Sequence, residues 1–369
     1  MDRRQFLQSA AGCATVALVA QGRILSAEPA KDTRREVAYY KKLDDGIVEC
    51  LTCPKKCKVL NQGRGICGNK LNDDGFYYSL AYAKPCTIHV DPIEKKPLFH
   101  FLPGADAYSL STAGCNLGCK FCQNWQISQS KPEQIDSYNL TPAQIVIQAK
   151  DAKAKVIAFT YGEPVVFYEY MYGIASLARK EGIHSVMISN GYINQEPLTE
   201  LCKHLSAVKI DLKAFTEEFY QKYCNGSLQP VLDTLLLLKK IGIWFEIVVL
   251  IIPTLNDSAK EIKQMCEWIK NNLGDNVPIH FSRFHPEYKL KNLPVTPVKT
   301  MEDAHQIARE AGLRFVYLGN IPNNPAESTY CPACQKPIIR RVGYRIAENL
   351  VKEGKCPICS ARIPGFWGK

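Results

Sequence analysis

Three cysteines constrain this chain more than any other feature. Cys115, Cys119 and Cys122 stand at C-x3-C-x2-C spacing in the stretch Ala113-Gly114-Cys115-Asn116-Leu117-Gly118-Cys119-Lys120-Phe121-Cys122-Gln123-Asn124. Thiolates are soft ligands that suit iron–sulfur clusters and zinc. A cubane cluster usually takes four cysteines, and this loop supplies three. One iron is then left open for chemistry, as a catalytic zinc keeps one free position. Gly114 and Gly118 let the backbone turn tightly, and Phe121 sets an apolar ring beside the third thiol.

The loop resembles that of radical S-adenosylmethionine (SAM) enzymes, down to the aromatic residue before the last cysteine. Just before it, Asp91-Pro92-Ile93-Glu94-Lys95-Lys96-Pro97-Leu98-Phe99-His100-Phe101-Leu102-Pro103-Gly104 is similar to the lead-in of the AmmeMemoRadiSam-system radical SAM enzymes, relatives of the pyruvate formate-lyase activating enzymes. The resemblance runs from about Cys50 to Trp367. It implies a 4Fe–4S cluster on Cys115, Cys119 and Cys122, bound SAM, and an oxidoreductase that makes a 5′-deoxyadenosyl radical to abstract hydrogen from a substrate. It also implies a low-potential electron donor. A protein substrate, as for a glycyl-radical activase, and Memo-like or AMMECR1-like partner proteins come with the same analogy.

The chain has 16 cysteines. Eleven fall in metal-style groups, at 50, 53, 57 and 67, at 115, 119 and 122, and at 331, 334, 356 and 359. Disulfides would be the reading for a small secreted protein, and this grouping argues against them. Cys13, Cys86, Cys202, Cys224 and Cys266 stand alone and read as packing thiols. Cys50, Cys53, Cys57 and Cys67, among tight turns and lysines, fit either zinc or an auxiliary iron–sulfur cluster. Cys331, Cys334, Cys356 and Cys359 form two C-P-x-C knuckles, and a hairpin between them would close a zinc tetrahedron.

From residue 105 onward, apolar strands alternate with amphipathic helices, which predicts a parallel sheet in an α/β fold. The run suits a partial (β/α)6 barrel of the radical SAM type, with room for a seventh strand. Thr141-Pro142 is a strong helix start. Polar residues fall at expected strand ends, where barrel chemistry sits. Tyr161-Gly162-Glu163-Pro164 resembles the family's Gly-Gly-Glu-Pro motif, with Tyr161 in place of the first glycine. That resemblance assigns Gly162 and Glu163 to the SAM amino group. Asn190, the pair Asp211 and Lys213, and His285 are similar to further strand-end contacts of the activating enzymes. No residue is nominated as a catalytic base.

The expected organisation is a twin-arginine-type signal at 1–27, an N-terminal segment with the four-cysteine motif at 28–104, the barrel at 105–322 and a zinc-ribbon-like module at 323–369. The signal reads from Arg3-Arg4, the short apolar stretch and Leu25-Ser26-Ala27, and predicts export to the periplasm or cell envelope, or a cytoplasmic protein where the signal does not function. The apolar stretch is too short for a comfortable membrane span. The net charge of +10 is scattered rather than gathered in a stripe, which weighs against a nucleic-acid binder or RNA-modifying enzyme. An iron–sulfur or zinc electron carrier or scaffold is the other alternative, and it would have no use for a SAM pocket.

Overall fold

The computed structural model describes residues 34–368. The expected signal at 1–27, including Cys13, lies outside them. Among the described residues no helix is long and apolar enough to cross a membrane.

Eight strands form one sheet whose spatial order is the chain order: β1 (Thr87–Pro92), β2 (Asp106–Ser111), β3 (Val156–Phe159), β4 (His184–Ser189), β5 (Ala207–Asp211), β6 (Trp244–Ile251), β7 (Ile279–Arg283) and β8 (Val316–Gly319). Strands β2 to β8 are parallel, and β1 lies antiparallel on the edge beside β2. The sheet therefore has seven parallel strands, the six expected and the seventh for which the sequence left room, and an antiparallel edge strand drawn from the N-terminal segment. Its edges, β1 and β8, do not pair with each other, so the sheet stays open.

Helices Pro142–Asp151, Tyr168–Lys180, Gln195–Cys202, Gln229–Ile241, Ala259–Leu273 and Val298–Glu310 connect successive parallel strands. The first begins as its sequence predicts. Thr141 accepts from the Gln144 N–H at 3.3 Å, Gln144 returns the bond at 2.8 Å, and Pro142 fills the first helical position.

Both faces of the sheet are covered, so the strands read as continuous apolar runs. In β3 every residue is buried. Ile157 and Phe159 join the large core shared with the helices, whereas Val156 and Ala158 join Ile93, Leu98 and Phe101. The segment after β1 thus plugs one end of the inner face.

That inner face also carries a buried polar layer. Glu246 accepts from the backbone N–H groups of Phe99 (3.0 Å) and His100 (2.8 Å) and meets His280 Nε2 at 2.7 Å. His100 Nδ1 donates to the Pro364 carbonyl, so Nε2 accepts from the Tyr317 hydroxyl, both at 2.6 Å. Arg341, from the C-terminal hairpin, donates to the Phe99 carbonyl at 2.8 Å and lies 4.0 Å from Glu94. Burying these charges without such partners would cost several kcal/mol each, on the order of the penalty for a lone interior ion.

The N-terminal segment forms two small antiparallel sheets, Tyr40–Lys42 with Val48–Cys50 and Lys58–Val59, and Arg35–Glu36 with Phe76–Ser79 and Lys70–Asp73, with Cys50 ending a strand and Cys53, Cys57 and Cys67 in the connections. The C-terminal ones flank a three-stranded sheet, β9 (Thr329–Tyr330), β10 (Pro337–Val342) and β11 (Arg345–Asn349).

Candidate active site

The loop after β2 carries Cys115, Cys119 and Cys122, and all three thiols line one cavity of about 520 Å³. Gly162, Glu163, Asn190, Asp211 and Lys213 line it too. They follow or end β3, β4 and β5, which is where parallel α/β sheets place their chemistry. The structure therefore brings together all but one of the residues that the sequence nominates for this site.

The exception is His285. It lies beyond the end of β7, is exposed, and does not line the cavity. The chain has already turned away at Phe284, which is buried with its N–H on Thr296 Oγ1 at 3.1 Å. Ser282, on β7 itself, lines the cavity in its place.

Polar groups contact two of the three thiols. The Leu117 N–H and Asn190 Nδ2 reach Cys115 Sγ at 3.4 and 3.8 Å, and Cys122 Sγ meets Ser128 Oγ at 3.2 Å. Burial pushes the Cys115 thiol well up, and the Glu163 carboxylate adds to the rise. Cys119 goes the other way: a hydrogen bond from the Cys224 thiol holds it below its ordinary value. Cys224, read from sequence as a packing thiol, is thus a neighbour of the loop. Phe121 is 4% exposed and packs on Phe219 at 5.8 Å between ring centres.

One ion would draw tetrahedral thiolates to about 3.8 Å from each other, given Zn–S bonds of roughly 2.3 Å. Among the described residues, Cys331, Cys334, Cys356 and Cys359 meet that requirement, with all four sulfurs within 4.8 Å of one another. Cys331–Cys359 and Cys334–Cys356 are 3.6 and 3.8 Å apart. The Cys115 loop is not gathered so tightly. Its thiols fit a multi-iron cluster, which holds each sulfur on a different iron.

Glu163 is 4% exposed and fixed on both oxygens. Oε1 accepts from Ser189 Oγ (2.7 Å) and the Val165 N–H (3.1 Å), and Oε2 from the Asn190 N–H (2.8 Å). A carboxylate has about four acceptor sites, so one remains. Burial raises its pKa and these donors oppose the rise. Asn190 Nδ2 also donates to Asn116 Oδ1 at 2.9 Å, tying β4 to the cysteine loop.

Asp211 sits between two lysines. Lys213 Nζ is 2.9 Å from Oδ2, and Lys209 donates to Oδ1. Burial alone would raise the Asp211 carboxyl, but the two ammonium groups overcome it and hold it at about 2. Burial pushes Lys213 down, and Asp211 with the Cys119 thiol more than reverses that, so its pKa rises.

A second ion-pair group was not recognised in the sequence. Asp91, at the end of β1, accepts from Lys95 at 2.8 Å, from Lys96 at 2.7 Å and from the Tyr161 hydroxyl. Lys95, Lys96 and Tyr161 line the cavity. Burial takes Lys96 down to about 8, with Asp91 opposing. Tyr161 has a φ of 66°, in the left-handed region that glycine enters freely and other residues enter at a cost. The motif position that prefers glycine is thus occupied by a residue whose ring reaches Asp91. The doubled lysine of the lead-in was the available signal, since both ammonium groups converge on one carboxylate.

The C-terminal hairpin reaches the same place. Tyr344, in the turn between β10 and β11, lines the cavity mouth.

Residues 109–269 match the profile of the Radical SAM superfamily. An uncharacterised protein of Methanocaldococcus jannaschii, MJ0808, is 44% identical over 331 residues, which is 89% of this chain and 98% of that one. The pyruvate formate-lyase-activating enzyme of Clostridium pasteurianum is 25% identical over 194 residues, covering 49% of this chain and 80% of the relative. Among solved structures, a domain of the pyruvate-formate lyase-activating enzyme from Bacteroides vulgatus superposes with a TM-score of 0.40 at 20% identity, over 44% of this chain and 98% of that domain.

Proposed function

The chain belongs to the radical SAM superfamily, and we propose that it cleaves SAM reductively at a 4Fe–4S cluster held by Cys115, Cys119 and Cys122. The observation that carries this reading is the convergence of those three thiols with Gly162, Glu163, Asn190, Asp211 and Lys213 on one cavity. Bound there, a reduced 4Fe–4S cluster would supply the single electron for reductive cleavage of the SAM carbon–sulfur bond, and the substrate would supply the hydrogen atom.

The protein's own residues bind, orient and exclude water. Cys115, Cys119 and Cys122 would hold the cluster, and the rest of the cavity would be left for SAM. Glu163 keeps one acceptor site for an ammonium group. Lys213, steadied by Asp211, offers a cation for a carboxylate. Asn190 holds the Glu163 wall against the cysteine loop. Phe121 and Leu117 supply apolar cover. No protein acid or base is needed for the cleavage itself.

The activating-enzyme relatives favour a protein substrate, and the wording of residues 91–104 favours an AmmeMemoRadiSam-type enzyme working with partner proteins and a low-potential electron donor. The open sheet corresponds to a partial barrel in this reading. Zinc is the ion proposed for Cys331, Cys334, Cys356 and Cys359, where it would secure the hairpin that carries Tyr344.

The test is anaerobic reconstitution with iron and sulfide, reduction by dithionite, and chromatographic detection of 5′-deoxyadenosine from added SAM. Product from the wild type and none from the Cys115→Ala/Cys119→Ala/Cys122→Ala variant is the expected result. A wild-type protein that forms its cluster yet yields no product would remove the proposal.

A further inference from the structure

We propose that Cys50, Cys53, Cys57 and Cys67 hold a second iron–sulfur cluster, not a zinc ion, directly behind the Cys115 loop. The fold brings the four together: Cys50 and Cys67 act on Cys53, and Cys50 and Cys57 act on Cys67. The Cys50 N–H donates to the Cys57 carbonyl at 2.9 Å, and Cys53 sits in the turn between them, with its carbonyl accepting from Lys56 at 3.2 Å. Ile66, beside Cys67, gives its N–H to Cys57 Sγ at 3.5 Å.

Spacing decides between the metals. The C-terminal quartet of this same chain is closed to single-ion dimensions, and the N-terminal quartet, fully among the described residues, is not. Four thiolates that stand wider than one ion allows can each take a different iron of a cubane.

A second observation points into the group. Tyr77 is fully buried, its hydroxyl has no hydrogen-bond partner, and all four thiols act on it electrostatically. A β-carbon on Gly65 would lie 2.6 Å from that hydroxyl and 3.9 Å from Cys57 Sγ. An orphaned buried donor is rare and costly. Inorganic sulfide and cluster thiolates are the acceptors it lacks. The buried Lys70 ammonium, bonded to Thr52 Oγ1 at 2.7 Å, lies on the same side. Thr52 Oγ1 is also 3.6 Å from Cys50 Sγ. Lys70 is paired with the buried Glu169 carboxylate at 3.9 Å and also acts electrostatically on Cys50, Cys53 and Cys67.

The two cysteine groups are contiguous. Asn69 Nδ2 donates to the Ala113 carbonyl, and a β-carbon on Gly114 would meet the Cys67 carbonyl at 2.8 Å.

The experiment uses the full chain carrying Cys115→Ala, Cys119→Ala and Cys122→Ala, reconstituted anaerobically with iron, sulfide and zinc together. The expected result is about four irons and four sulfides per chain, with a cluster electron paramagnetic resonance signal after reduction. Adding Cys53→Ala and Cys57→Ala should abolish both. Zinc without iron in the triple variant, or iron that survives loss of Cys53 and Cys57, would overturn the assignment. In the triple-variant background, Tyr77→Phe should keep the iron and shift the cluster's reduction potential to more negative values, because a hydrogen bond to sulfur is lost. An unchanged potential would overturn the role given to Tyr77. None of these readouts requires SAM cleavage, so this inference and the proposed activity can fail separately.

Discussion

Lys96 Nζ lies 2.7 Å from Asp91 Oδ2, and this pair joins the end of an edge strand to the wall of the candidate active site. Both groups are removed from water, with side-chain exposures of 2% and 10%. Lys95 reaches the other oxygen of the same carboxylate from a much more exposed position, 45%.

The two lysines should therefore behave differently. Lys96→Ala leaves Asp91 and Tyr161 without their buried cation and is expected to cost about 3–5 kcal/mol. Lys95→Ala removes a solvated partner and should cost about 0–1 kcal/mol. Urea unfolding of both variants measures the contrast, and equal costs would contradict the geometry.

His100 makes stability depend on acid. Burial takes its pKa from 6.5 to about 4. The folded value is the lower one, so between those pH values the unfolded chain binds more protons. The contribution of neutral His100 is complete above pH 6.5 and is lost as pH falls through about 4. Its size is on the order of 3 kcal/mol. Unfolding free energies of wild type and His100→Gln from pH 7.5 to 4 should converge at the acid end. His280, lowered by burial in the same network, adds slope of the same sign.

Asp211 holds two ammonium groups that would otherwise repel. Asp211→Asn should free Lys213 from its set position and lower 5′-deoxyadenosine formation by about 10–100-fold, the range for residues that orient a metal site from behind. Iron content should stay unchanged, because no thiol is touched. Iron analysis alongside the activity assay separates the two outcomes.

The C-terminal quartet should bind one metal ion independently of the cluster loop. Cys331→Ser/Cys356→Ser is expected to lose one equivalent of zinc by elemental analysis and to become sensitive to proteolysis after residue 323. Persistence of that zinc would place it elsewhere.

The cysteine loop, the strand ends carrying Glu163, Asn190 and Asp211, and the C-terminal knuckles were readable because each signal is local. Spacing within a dozen residues defines a ligand set, and strand periodicity fixes where a strand ends. The misplacement of His285 comes from the same rule: a polar residue just past a strand points wherever the following turn sends it, and Phe284 is drawn into the core first. Cys224 and Cys119, or Tyr161 and Asp91, meet only after the sheet has formed, and nothing near either residue announces its partner. The antiparallel β1 was hidden for a similar reason, since an edge strand before the first parallel strand has no helix to mark it.

Arg341 has a consequence for how the molecule is made. Its guanidinium is fully buried beside Glu94 and stacked on Phe99, whose backbone N–H is held by Glu246. Glu94 and Glu246 are both synthesised before the cation that lies beside Glu94. A nascent chain on the ribosome must keep Glu94 hydrated until the β10–β11 hairpin is released. A chain stopped before Arg341 therefore leaves the buried Glu94 without its cation and the Phe99 carbonyl without its donor.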